Sequence, residues 1–129
     1  MSTNSEMKII NSFMEKFASC SVDKIENLFD SENIALAKKM ALYIGMDIKF
    51  PSDITSKDFV CIVEKILSFH SFWNRKLMQA ILEADELYGK KRPIDDAEEK
   101  LSNYIVSCPI KYLKENAERA YYGYLHGRY

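Results

Sequence analysis

Few residues of this chain have types and spacings that could do chemistry. The two histidines, His70 and His126, stand far apart, and neither has a second metal ligand at the short spacing of a zinc site. The three cysteines, Cys20, Cys61 and Cys108, are an odd number at wide spacings, so neither a disulfide framework nor a zinc site is expected. The four glycines are isolated, which argues against a glycine-rich phosphate loop. We therefore predict no metal, no cofactor and no catalytic residues.

One pair of residues could still act on a phosphate group. Arg119 and His126 are seven positions apart, so on a continuous helix both would project from one face, two turns apart. The spacing resembles the arginine–histidine signature of the HEPN-type ribonucleases, which are small all-helical proteins. The resemblance implies that the two residues act on the scissile phosphate, usually across a dimer. Ala120 stands where a polar residue usually follows the arginine. An all-α ribonuclease that uses Arg119 and His126 is therefore one alternative function.

Charge is distributed unevenly over the second half of the chain. Between Leu77 and Glu99 there are seven acidic and three basic side chains, and between Lys100 and Tyr129 there are five basic and two acidic ones. A solvated helix surface would explain the acidic cluster. An acidic face that meets a basic protein would explain it as well, because complementary charge speeds association and selects the partner. On this second interpretation, tyrosine adds contact area to the steering carboxylates. The predicted partner-binding residues are Glu83, Glu86, Tyr88, Asp95, Asp96 and Glu99.

The overall composition excludes several classes of protein. The chain has 129 residues, of which 47% are hydrophobic and 29% charged, the balance of one ordinary globular domain. Eighteen basic and 19 acidic side chains give a formal net charge of −1, which argues against a dedicated duplex-binding protein. The sequence has no apolar run of about 18 or more residues and no secretion signal at its start. We therefore expect a cytoplasmic protein that contacts neither nucleic acid nor membrane.

The hydrophobic pattern predicts helices almost throughout, because apolar residues recur at three- and four-residue spacings. Capping-box sequences begin at Thr3 and Thr55, and Gly45 is placed to end a helix. Ser71 and Asp95 are placed to cap further helices, and residues 46–51 alternate as a linker that turns its apolar side chains inward. We predict an all-α protein, an irregular bundle of six to seven helices forming a single domain over residues 1–129. The side chains predicted to be largely buried are Phe13, Phe17, Phe59, Ile62, Ile66, Trp73, Leu77 and Ile81.

A second resemblance lies in the middle of the chain. Residues 52–66, SDITSKDFVCIVEKI, resemble the S-D-x-T-x-x-E-F-x-x-x-V-x-x-I opening of the nuclease-colicin immunity proteins, with Asp58 in place of the family's glutamate. Those are small four-helix bacterial proteins that bind and neutralise a toxin nuclease. The family's toxin-contacting stretch, His-Pro-Ser-Gly with paired tyrosines, is reduced here to His70-Ser71. No binding residue is therefore carried over from that family.

Together these observations predict a bacterial, non-enzymatic binding protein, an immunity or inhibitor protein of the nuclease-colicin or contact-dependent-inhibition kind. It would neutralise a toxin domain by covering that domain's basic active or substrate-binding face. The alternatives are the ribonuclease described above and a helical regulatory or scaffold subunit. The sequence leaves the oligomeric state open.

Overall fold

The structure, a computed structural model, describes residues 4–89 and 94–125, without the side chains of residues 4, 87–89, 94–98, 124 and 125. Over these residues the chain forms six α-helices and no strand. The helices are α1 Asn4–Phe17, α2 Val22–Asn27, α3 Ser31–Tyr43, α4 Ser56–Gly89, α5 Ile94–Ser107 and α6 Lys111–Leu125. The predicted all-α class is confirmed, and so is the predicted number of helices over the described ranges.

The chain divides into two compact units, with the boundary between His70 and Ser71. The first unit contains α1, α2, α3 and the beginning of α4, and the second contains the remainder of α4 together with α5 and α6. That residues 1–129 form one domain stays a prediction. None of the described helices is long and apolar enough to cross a membrane.

Aromatic side chains form the centre of the first unit. Phe13, Phe17 and Phe59 are fully buried, as the sequence predicts. The ring centroid of Phe17 lies 4.9 Å from that of Phe13 and 5.9 Å from that of Phe59, and Phe29 lies 5.6 Å from Phe59. Ring pairs at these distances add about 0.5–1.5 kcal/mol each beyond the area they bury. This cluster therefore ties α1 to the start of α4.

Asn33 joins three segments of the first unit although it is polar and buried. Its backbone N–H and its amide both donate to the carboxylate of Asp30, the N-cap residue of α3, and the amide also donates to the Leu28 carbonyl at 2.8 Å. The Lys16 ammonium on α1 donates to the Asn33 amide oxygen at 2.7 Å. Because both amide atoms have partners, the side chain is buried without a large desolvation penalty.

Two helix ends follow local sequence signals. The Thr55 hydroxyl accepts from the Asp58 backbone N–H at 3.2 Å, and the Asp58 carboxylate accepts from the Thr55 N–H at 3.1 Å, which confirms the capping box that begins α4. Gly45 has a φ of 70° after the end of α3, as predicted. The N–H of Met46 reaches back to the Ala41 carbonyl at 2.9 Å, the pattern of a Schellman end. Thr3 lies outside the described residues.

The prediction that Ser71 caps a separate helix is wrong. Ser71 lies inside α4, which runs without interruption from Ser56 to Gly89. Serine is only mildly unfavourable within a helix, and no proline or glycine lies near this position to end it. Asp95 likewise lies within the described part of α5, one residue after its start at Ile94, and is therefore not the N-cap of that helix.

The linker after α3 is irregular and alternates as predicted. Met46, Ile48 and Phe50 are half-buried, whereas Asp47 and Lys49 are exposed. The Lys38 ammonium lies 5.6 Å from the ring centroid of Phe50. The alternation therefore turns the apolar side chains toward the rest of the protein, and the segment needs no partner strand.

In the second unit α5 and α6 pack against each other, and the core is formed by residues of α4, α5, α6 and the connection between α5 and α6. Leu101 of α5 and Leu113 and Ala117 of α6 are fully or almost fully buried, and so is Ile110 in the connection between the two helices. Of the side chains predicted to be largely buried along α4, Phe59, Ile62, Ile66 and Leu77 are buried. Trp73 and Ile81 are half-buried, less so than the rest of the predicted set, and Trp73 lines a groove.

Candidate functional site

Two surfaces of the second unit carry the features that a binding site needs, and both lie on the second half of α4. The first is a groove between α4 and α5, and the second is an exposed face of α4. The groove determines the surroundings of Glu83.

The groove has a volume of about 330 Å³ and lies between α4 and α5. Two contacts join the helices beside it. Near one end the Tyr104 hydroxyl of α5 donates to the Trp73 carbonyl of α4 at 2.8 Å, and near the other the Lys100 ammonium lies 3.7 Å from the Glu83 carboxylate. The small side chain of Ala80 lines the space between these contacts.

Aromatic rings form one end of the groove. Trp73 packs edge-on against Phe72, with ring centroids 5.2 Å apart, and against Tyr104, with centroids 5.9 Å apart. Phe72 is 44% exposed. The Lys76 ammonium lies 5.6 Å from the Phe72 ring centroid, within the range of a cation–π contact. The opening is thus bordered by ring surface and by a cation.

Glu83 faces this groove. Its carboxylate is close to Lys100 and also accepts from the Gln79 side-chain amide at 3.1 Å. Both members of the ion pair are partly exposed, so the pair contributes at most about 1 kcal/mol. The negative charge of Glu83, which the sequence analysis predicts to face a partner, is therefore partly balanced within the protein.

The other predicted partner-binding residues are placed as follows. Glu86 is exposed on α4 and Glu99 is exposed on α5. The side chains of Tyr88, Asp95 and Asp96 lie outside the described residues. That these six residues together form the partner-binding surface stays a prediction.

An exposed face of α4 adds two apolar residues that the charge pattern did not indicate. Met78 and Leu82 are 54% and 63% exposed and lie one helical turn apart. Asp85 and Glu86 follow one turn after Leu82, and both are exposed. We call Met78, Leu82, Asp85 and Glu86 the α4 stripe. A four-residue spacing of apolar side chains marked this face in the sequence, but the same spacing marks core faces, so sequence analysis missed it.

The ribonuclease hypothesis depends on a residue that the structure places and another that it does not. Arg119 is exposed on α6. His126 lies outside the described residues, so the geometry of the pair stays a prediction.

His70, the other histidine, is buried within α4. Burial lowers its pKa below the ordinary 6.5, which keeps it neutral at physiological pH.

The cysteines are free thiols in three different surroundings. Cys61 is exposed, Cys20 is half-buried and donates to the Lys16 carbonyl, and Cys108 is buried next to the Tyr104 hydroxyl at 3.4 Å. Among the side chains that the structure describes, no three of histidine, cysteine, aspartate or glutamate come together to hold a metal ion.

Comparisons of the chain with protein families, with curated proteins and with solved structures find no match.

Proposed function

We propose that this chain is a non-enzymatic protein that binds another protein, acting in the bacterial cytoplasm as an immunity-type inhibitor of a toxin domain. The observation that carries the proposal is the α4 stripe, in which two large exposed apolar side chains are followed by two carboxylates one turn later. The partner would present an apolar contact beside a basic area.

The apolar part of the stripe supplies the binding energy in this proposal. A single exposed apolar side chain is ordinary on a protein surface. Met78 and Leu82 are neighbours, because side chains four residues apart lie one above the other on a helix. Full burial of one such side chain against a partner is worth about 1.5–3 kcal/mol.

The charged part of the stripe would orient the partner. Asp85 and Glu86 lie near the end of α4, whereas the exposed Arg75 lies one turn before Met78. At 1.5 Å per residue, Arg75 and Glu86 are about 16 Å apart along the helix axis. A partner with a basic patch would approach the acidic end faster, since complementary charge acts mainly on the rate of association.

This mode of binding suits an inhibitor of a nuclease-type domain. Enzymes that act on nucleic acid bind phosphates with lysine and arginine, and an acidic surface can cover such a face. The resemblance of residues 52–66 to the immunity proteins supports the same class, although that segment lies outside the α4 stripe. The mechanism is steric and electrostatic, and it uses no catalytic residue.

The test begins by capturing proteins from native cell extract with the full chain. The capture is repeated with Met78→Ser/Leu82→Ser and with Asp85→Lys/Glu86→Lys. We expect a basic protein that the wild-type chain captures and both variants lose. With that protein purified, the serine variant should dissociate about tenfold faster or more, because about 1.4 kcal/mol or more of apolar contact is removed. The lysine variant should associate more slowly and with a weaker salt dependence.

Matched controls are available in the first unit. Val22 is 54% exposed and Glu15 is exposed, so Val22→Ser and Glu15→Lys change similar side chains away from the stripe. Both controls should bind as the wild-type chain does. If wild type and stripe variants capture the same proteins with the same rate constants, the proposal is wrong.

A further inference from the structure

The groove between α4 and α5 has a composition different from that of the α4 stripe. Its six characteristic residues are three aromatic side chains, two lysines and one glutamate: Phe72, Trp73, Tyr104, Lys76, Lys100 and Glu83. The groove and the stripe use different residues of α4, so an inference about the groove does not depend on the proposed function.

The aromatic end of the groove offers ring surface rather than hydrogen bonds. The Tyr104 hydroxyl donates to the Trp73 carbonyl and accepts from the Cys108 thiol, so its polar atom is already engaged. The half-buried Trp73 and the 44%-exposed Phe72 leave ring surface accessible. A flat apolar group can stack or pack edge-on against such rings at 4.5–7 Å between centroids, as aromatic pairs generally do.

The charged side chains of the groove favour an anion. Lys76 and Lys100 contribute two positive charges against the single negative charge of Glu83. Lys76 lies over the Phe72 ring, where a cation–π contact holds the ammonium beside the aromatic surface. The pair of Lys100 and Glu83 is partly exposed and weak, so Lys100 can turn to a ligand at small cost.

From these features we propose that the groove binds a small molecule with a flat aromatic body and a carboxylate group. The rings of Phe72 and Trp73 would pack against the aromatic body, and Lys76 and Lys100 would pair with the carboxylate. The volume of about 330 Å³ is at the lower end of the range found for ligand pockets, which suits a molecule of one or two rings.

Trp73 makes the test specific, because it is the only tryptophan of the chain and lines the groove. Its indole N–H gives a single cross-peak in a proton–nitrogen correlation spectrum of the labelled protein. The probes are 2-naphthoate and its neutral amide, 2-naphthamide. We expect 2-naphthoate to shift the indole cross-peak saturably and to bind about fivefold more tightly than the amide, the ratio that about 1 kcal/mol of ion pairing gives.

Variants separate the role of the two lysines from general charge. Lys76→Gln/Lys100→Gln should abolish the preference for the carboxylate while leaving the affinity for 2-naphthamide unchanged. Lys111 is exposed on α6, outside the groove, so Lys111→Gln should keep the full preference. The inference is overturned if the indole cross-peak does not move up to the solubility limit of 2-naphthoate. It is also overturned if both probes bind the wild-type protein equally, or if the double variant retains the preference.

Discussion

Two tyrosines of the second unit lie beside the buried Cys108 and share its surroundings. Tyr104 is buried and hydrogen-bonds to Trp73, and Tyr112 is half-buried at the start of α6. Burial raises the pKa of Tyr112 to about 12, and the electrostatic effect of the nearby Cys108 side chain adds to the shift. Burial raises the pKa of Tyr104 as well, with the hydrogen bond to Cys108 as the second cause. Both phenols are therefore held neutral by the fold.

This arrangement predicts a loss of stability at alkaline pH. In the unfolded chain a tyrosine titrates near pH 10, whereas Tyr112 in the folded protein titrates near 12. The stabilisation is fully present below about pH 10, and it is lost as the pH rises towards about 12, because only the unfolded chain releases the proton in that window. Urea unfolding measured between about pH 9 and about pH 11.5 should show this decrease in the free energy of unfolding.

Substitutions can identify the residue that causes the decrease in the free energy of unfolding. Tyr112→Phe should make the decrease shallower, since the phenylalanine has no proton to lose. Tyr122 is exposed on α6, and Tyr122→Phe should follow the wild-type curve. An equally steep decrease in Tyr112→Phe would contradict the assignment.

At the scale of the element, α4 carries both candidate surfaces on different sides of one helix. Trp73, Ala80 and Glu83 face the groove, whereas Met78 and Leu82 are exposed on the stripe. The helix continues through Ser71 without interruption. Both surfaces therefore lie on one continuous helical backbone, which fixes their positions relative to each other.

The continuity of α4 can be tested with proline. If Ser71 capped a new helix, residue 72 would be its first position, where proline is well tolerated. In a continuous helix, Phe72→Pro removes a backbone hydrogen bond and clashes with the preceding turn, at a cost of about 3 kcal/mol or more. Phe72→Ala removes the same ring, so the difference between the two variants measures the effect of proline on the backbone. We therefore expect Phe72→Pro to lower the free energy of unfolding by about 3 kcal/mol or more beyond the effect of Phe72→Ala. Similar stabilities for the two variants, measured by urea unfolding, would favour two helices.

At the scale of the whole molecule, each compact unit depends on its own set of large buried side chains. In the first unit Phe59 is fully buried, and its ring lies close to the rings of Phe17 and Phe29. In the second unit the corresponding side chains come from α5 and α6, among them Leu101 and Leu113.

Removal of the Phe59 ring should be among the most destabilising single changes in the first unit. Phe59→Ala is expected to lower the free energy of unfolding by about 3–5 kcal/mol, because it removes a buried ring and leaves a cavity. Leu42 is mostly exposed on α3, so Leu42→Ala should change the free energy by no more than about 0.5 kcal/mol. Chemical denaturation followed by circular dichroism compares the two variants. A cost below about 1 kcal/mol for Phe59→Ala would contradict the close packing of this ring.

The sequence by itself determined the features that depend on neighbouring residues. The helical class follows from apolar spacing, the start of α4 from Thr55 and Asp58, and the end of α3 from Gly45. Each of these involves residues within one or two turns of each other, so the responsible interactions can be read from the order of residues. The burial of Phe13, Phe17 and Phe59 was also predictable, since large rings on an apolar stripe are removed from water wherever the stripe packs.

Only the tertiary structure decided which apolar and charged side chains stay at the surface. Met78 and Leu82 have the same spacing as core residues, yet they are exposed, while Trp73 lines a groove because α5 lies beside it. Glu83 belongs to the acidic cluster in sequence, but Lys100, seventeen positions further along, pairs with it in space. These outcomes depend on which helices meet and at what distance, and contacts between residues distant in the chain are not encoded in any local pattern.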